Sequence, residues 1–176
     1  KSTNIVYLEF TYCTFTPDNL EDLTQALPLM KLERLAFNCE DVGDFLQALS
    51  GILPQMNALK EFIFRTYEIK QKAYQAFIQC LPETSFESLT LYGDMDEEGV
   101  SLLGEALDKS KVIEVCLAST KMAEEKMLEM VLSKTRMNIR VSSEFFNEER
   151  NNDFNRIIEL LCKYEVYSFK FESKEL

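Results

Sequence analysis

Apolar residues in this chain recur in a fixed figure. Ile5, Leu8 and Phe10 stand at offsets 0, 3 and 5. The same offsets hold Leu32, Leu35 and Phe37, then Leu59, Phe62 and Phe64, then Phe86, Leu89 and Leu91, and then Val112, Val115 and Leu117. The first four figures begin 27 residues apart, and the fifth follows after 26. Each figure is short, rich in β-branched, aromatic and Leu residues, and alternating at its centre, which predicts a strand. An amphipathic run follows each. Leu20, Leu23, Ala26 and Leu27 form the first, and Phe45, Leu46, Leu49, Ile52 and Leu53 the second. Ala73, Tyr74, Phe77, Cys80 and Leu81 form the third, Val100, Leu103, Ala106 and Leu107 the fourth, and Met127, Leu128, Val131 and Leu132 the fifth. Steps of three and four set each group on one face of a helix.

Punctuation keeps the same phase. Pro28, Pro54 and Pro82 each follow a Leu at the end of a run, where a residue without an N–H ends an α-helix. Thr16-Pro17 has the form of a helix start, with an N-cap hydroxyl and a proline in the first turn. Strand, loop, helix and stop therefore make a unit of about 27 residues. Parallel strands must stack side by side while helices return the chain on one outer face, and such crossovers are right-handed. The expectation is an α/β fold, a right-handed solenoid with a parallel inner sheet and outer helices. Strands are expected near 5–11, 32–38, 59–65, 86–92, 112–118, 138–142 and 166–171. The last two are less regular. Ile139 and Val141 form an inward pair; Phe154, Ile157, Ile158, Leu161 and Cys162 suit a helix; Val166, Phe169 and Phe171 restore the figure.

These rows resemble the leucine-rich repeat proteins of the ribonuclease-inhibitor-like class, whose pattern is LxxLxLxxN/CxLxxxGxxxLxxxL. Ile5-Leu8-Phe10-Cys13-Phe15 follows it, with Cys13 at the Asn/Cys position. Phe86-Leu89-Leu91 with Gly99, Leu103 and Ala106-Leu107 is the other close row. Glu40, Tyr67, Asp94 and Thr120 depart from it at the Asn/Cys position. The resemblance implies a leucine-rich repeat horseshoe forming one domain over 1–176, regular over 3–133 and irregular over 134–176, within a longer chain. Members of the class act by binding proteins. The implied function is a protein–protein interaction module or scaffold subunit of a larger intracellular assembly. The alternative is a non-catalytic regulator of an enzyme, such as a GTPase activator.

Charge narrows the partners. The net charge of −11 opposes nucleic-acid binding, which needs a basic surface to replace phosphate counterions. No apolar run approaches the length that spans a bilayer, so no membrane insertion is expected. The five cysteines contain no CxxC pair, and there is no Asn-x-Ser/Thr sequon. Buried thiols in a reducing compartment fit this best, which places the expectation inside the cell, in the cytoplasm.

Catalytic chemistry finds little footing. The chain has no histidine, which removes Ser-His-Asp and Cys-His catalysis and His-ligated metal sites from it. Its five glycines form no phosphate-cradling loop. Asp94-Met95-Asp96-Glu97-Glu98-Gly99, with Glu105 at position 12, has the spacing of an EF-hand calcium loop. An EF-hand needs a helix before the loop, and Leu89-Thr90-Leu91 reads as a strand. No enzyme activity, metal or cofactor is expected.

One surface remains, the inner face of the sheet, whose side chains fall at offsets 2, 4 and 6. They are Tyr7, Glu9, Thr11; Arg34, Ala36, Asn38; Glu61, Ile63, Arg65; Ser88, Thr90, Tyr92; Glu114, Cys116, Ala118; Asn138, Arg140, Ser142; and Ser168, Lys170, Glu172. Four Glu balance four Arg or Lys, so the surplus of negative charge lies elsewhere. The candidate interface with another protein is Ile63, Arg65 and Tyr92, with Tyr7 and Arg34, because Tyr and Arg are frequent anchors. Strand or repeat addition at the C-terminal edge, after Phe171, is the competing site.

Overall fold

A computed structural model of the chain describes residues 5–39, 43–66, 70–93, 97–118, 138–142 and 168–172. The fold is α/β. Seven strands, β1 (Tyr7–Thr11), β2 (Arg34–Asn38), β3 (Glu61–Arg65), β4 (Ser88–Tyr92), β5 (Glu114–Ala118), β6 (Asn138–Ser142) and β7 (Ser168–Glu172), lie in one sheet in sequence order. Every neighbouring pair is parallel. Four helices connect the first five strands: α1 (Pro17–Ala26), α2 (Gly43–Ser50), α3 (Gln71–Cys80) and α4 (Glu97–Lys109). The segments carrying Met127 to Leu132 and Phe154 to Cys162 lie outside the described residues.

The core is the seam between one face of the sheet and the helices. Leu8, Leu35, Phe62, Leu89 and Val115 are successive register partners, and the last four are fully buried. Phe10 pairs with Phe37, and the two rings stack at 5.1 Å. Phe62 lies 5.3 Å from Phe86 and 5.6 Å from Phe77 of α3. From the helix side come Leu46 and Leu49, then Ala73, Tyr74, Phe77 and Ile78, then Leu103 and Leu107. Inward positions at two-residue spacing on strands thus meet positions at three- and four-residue spacing on helices.

Strands begin later than the apolar figures do. Leu32, Leu59, Phe86 and Val112 are buried, yet each precedes its strand by two residues. The hydrogen bonding explains this. Glu33 C=O accepts from both Lys60 N (2.8 Å) and Glu61 N (3.0 Å), and Lys60 C=O accepts from both Glu87 N (2.8 Å) and Ser88 N (2.9 Å). Two successive N–H groups aimed at one carbonyl cannot alternate as a ladder does, so regular pairing starts one residue on. At the far end the ladder runs one residue beyond the strand, through Tyr12 N to Asn38 O, Cys39 N to Arg65 O and Thr66 N to Tyr92 O.

The prolines act as the sequence suggests, with a refinement. Leu27–Leu29, Leu53–Gln55 and Leu81–Glu83 are single 3-10 turns, each with its proline second. Proline's fixed φ suits the start of a tight turn even as its missing N–H ends the α-ladder. Thr16 caps α1. Its hydroxyl accepts from Asn19 N (3.3 Å), the Asn19 carbonyl oxygen accepts from Thr16 N (3.4 Å), and Pro17 opens the helix. Among the described residues, no helix is long and apolar enough to cross a membrane.

Candidate protein interface

The sheet face opposite the helices is built by residue parity. Leu35, Phe62 and Leu89 point into the seam, so their strand neighbours point away from it. Three rows result, each crossing the strands. One row is Tyr7, Arg34, Glu61, Ser88 and Glu114; the middle row is Glu9, Ala36, Ile63, Thr90 and Cys116; the third is Thr11, Asn38, Arg65, Tyr92 and Ala118. Strand β3 carries the centre, with Glu61, Ile63 and Arg65 all on this face.

The middle row is a floor. Ala36 is 2%, Ile63 7% and Thr90 8% exposed. Ile63 thus offers a nearly buried surface instead of a projecting contact. Same-face neighbours along a strand and across it lie within about 5–7 Å. Ile63 has longer chains, Glu61 and Arg65, on either side along β3, with Ala36 and Thr90 beside it, and these neighbours cover it.

The flanking rows carry two Tyr–Arg pairs that differ in electrostatic state. The Arg34 guanidinium lies 4.7 Å from the Tyr7 ring centroid, and the Arg65 guanidinium lies 4.7 Å from that of Tyr92. Arg34 is also neutralised. Its Nε is 3.2 Å from Glu61 Oε2, close enough for ion pairing although the angle is too poor for a hydrogen bond. The Tyr7 hydroxyl donates to Glu9, and this bond is the main reason the phenol's pKa is raised. Glu9, Tyr7, Arg34 and Glu61 thus form a connected network across β1 to β3, in which Arg34 Nε has an ion-pair contact but no hydrogen bond. Arg65 is exposed, and among the described residues no carboxylate comes within ion-pair distance of it. The Tyr92 ring holds it in place.

All five sequence-chosen residues share this face, and β3 joins them in two groups: Tyr7 with Arg34, and Arg65 with Tyr92, with Ile63 between. Sequence reasoning passed over Glu9 and Glu61 as members of the network. The signal was present, since Tyr7, Arg34 and Glu61 occupy one offset in successive figures, as Arg65 and Tyr92 do. Opposite charges or Tyr–Arg pairs at one offset become cross-strand neighbours once strands stack in parallel.

Other candidate chemistry resolves differently. Leu89 to Leu91 lies within β4, Gly99 is buried inside α4, and Glu105 is exposed in the middle of α4. A strand therefore stands where an EF-hand requires a helix; Asp94 to Asp96 lie outside the described residues. The Cys39 thiol is buried and donates toward Phe10 O (3.5 Å), and burial raises its pKa. The Cys80 thiol donates to Phe77 O (3.1 Å) and is pushed up to about 11 by burial. Cys13, Cys39 and Cys80 are in no disulfide.

No family model and no curated protein sequence matches the chain.

Proposed function

We propose that the chain is a leucine-rich repeat solenoid that serves as a protein-binding module, with its inner sheet face as the binding surface. The register supports the solenoid. Leu8, Leu35, Phe62 and Leu89 are direct partners spaced by 27 residues, followed by Val115, Ile139 and Phe169. The observation that carries the binding role is the Arg65–Tyr92 stack beside the Ile63 floor. A guanidinium preorganised on a ring loses little freedom when a partner arrives, and the shallow floor admits close approach. The partner is another protein, and the module is a scaffold element of an intracellular assembly.

Affinity capture with the intact chain, followed by mass spectrometry, identifies the partner. Arg65→Glu and Tyr92→Ala should each then weaken binding by about 2 kcal/mol, roughly thirtyfold, as for central anchors. Retained binding in both variants, with loss on removing residues 166–176, would move the interface to the terminal edge.

A further inference from the structure

We propose that Cys13 and Cys39 are a redox pair, which hydrogen peroxide closes into a disulfide clasping the loop after β1 to the end of β2.

The backbone brings the two residues together by breaking an alternation. Leu8 and Phe10 pack toward the seam, as do their partners Leu35 and Phe37. After β2 the alternation continues, and Cys39 is buried among the core residues. After β1 the same alternation would turn Tyr12 inward. Tyr12 instead takes φ 55° and lies 80% exposed, and Cys13 packs against the core that holds Cys39. A left-handed residue leaves the strand conformation, so the next side chain need not point the opposite way.

The segment carrying Cys13 is held to the second rung on both sides. Tyr12 N–H donates to Asn38 O at 2.9 Å, one step before Cys39. The Phe15 ring lies 6.1 Å from Phe37 and 5.0 Å from Phe45. Cys13 sits between these anchors. The two thiols donate to successive carbonyls of one strand, Cys39 Sγ to Phe10 O and Cys13 Sγ to Thr11 O, each at 3.5 Å. Parallel strands lie about 4.8 Å apart and rise about 3.3 Å per residue, so diagonal neighbours have Cα atoms about 6 Å apart. That is a separation a disulfide spans without moving the backbone. Burial raises the Cys39 thiol pKa most, and the neighbouring Cys13 thiol raises it further. Cys80 ends α3, and Cys116 lies on the opposite face of the sheet, so neither is placed to compete.

Closure needs a two-electron oxidant, and peroxide supplies it. The thiolate is the nucleophile, and burial keeps Cys39 protonated, so Cys13 reacts first. Its sulfur attacks one peroxide oxygen, the O–O bond breaks, and water leaves with the thiol's proton. Cys13 is then a sulfenic acid. The Cys39 sulfur attacks the Cys13 sulfur, forming the S–S bond and expelling hydroxide, which takes the Cys39 proton and leaves as a second water. Two thiols lose two electrons and two protons, and one peroxide becomes two waters. A thiol reductant reopens the clasp by thiol–disulfide exchange.

Peroxide treatment of the intact chain, followed by alkylation and non-reducing peptide mapping by mass spectrometry, tests this. One linked peptide joining Cys13 to Cys39 should dominate, with two of the five thiols lost and both restored by dithiothreitol. In urea the linkage should scatter among other pairs, because only the folded chain holds these two together. Cys39→Ala should abolish the linkage and leave Cys13 as a sulfenic acid that dimedone traps. Cys13→Ala should leave Cys39 reduced. The wild-type map decides the matter even where a variant fails to fold. A native chain that forms no disulfide, links other cysteines, or scatters its linkages as it does in urea would overturn the proposal.

Discussion

At the scale of single residues, two positions are held away from their intrinsic preferences. Tyr12 has φ 55°, the left-handed region, although its side chain is 80% exposed. Its N–H donates to Asn38 O at 2.9 Å, so the conformation is fixed by the ladder and not by the ring. Non-glycine residues cost about 1–2 kcal/mol there, and Asn tolerates the region better. Tyr12→Asn should raise stability by about 0.5–1 kcal/mol, measured by urea denaturation. Cys80 is the second. Its folded pKa of about 11 lies above the ordinary thiol value of 9.0 because burial penalises the thiolate. Between those values the unfolded chain gives up the thiol proton while the folded chain retains it. Stability from this group is therefore complete below pH 9 and lost as pH rises toward 11. The decline over that range should be shallower in Cys80→Ala than in the wild type, read as denaturation midpoints against pH.

At the scale of elements, each strand is fixed by the rows on either side of it. Phe62 is fully buried, with Leu35 and Leu89 as register partners and Phe64, Phe77 and Phe86 rings within 6.2 Å. Its neighbours belong to elements pinned by their own ladders, so they cannot collapse into a vacancy. Phe62→Ala should therefore cost about 3–5 kcal/mol, checked by equilibrium denaturation. A near-neutral result would mean that the inward register is wrong. The elements also show where sequence reading stopped short. In the second, third and fourth rungs the 0-3-5 figure marks the residues that are buried. Where the strand begins is set by the bifurcated bonds at Glu33 and Lys60, which depend on the neighbouring rung and have no trace in side-chain pattern.

At the scale of the whole molecule, the fold is a row of rungs in which each supports the next, and stability varies along it. Among the described residues, the first rung has one neighbour and a helix with no buried residue; the third has two neighbours and a helix with four. Amides of β1 and α1 should exchange with solvent at least about tenfold faster than those of β3 and α3 in dilute solution, measured by hydrogen–deuterium exchange. Uniform exchange along the sheet would instead mean all-or-none opening. Charge follows the same large-scale division. The inner face carries balanced charge by sequence while the chain holds −11, so the surplus lies on helices, loops and termini. That division leaves the inner face the surface least opposed to close approach.

The sequence alone determined which side chains enter the seam, the parallel order of the strands, the cap at Thr16 and the set of residues on the inner face. These follow from periodicity, which is local: a period of two for strands, of 3.6 for helices, and a constant offset between rungs. Tertiary structure decided what those inner residues do. Ile63 is buried by its neighbours, Arg34 is paired with Glu61, and Arg65 lies over the Tyr92 ring with no described carboxylate in ion-pair reach. The two arginines occupy similar settings in the sequence, and only distances between rungs tell them apart. Burial and ion pairing are sums over neighbours from other rungs, so they exist only once the rungs have stacked.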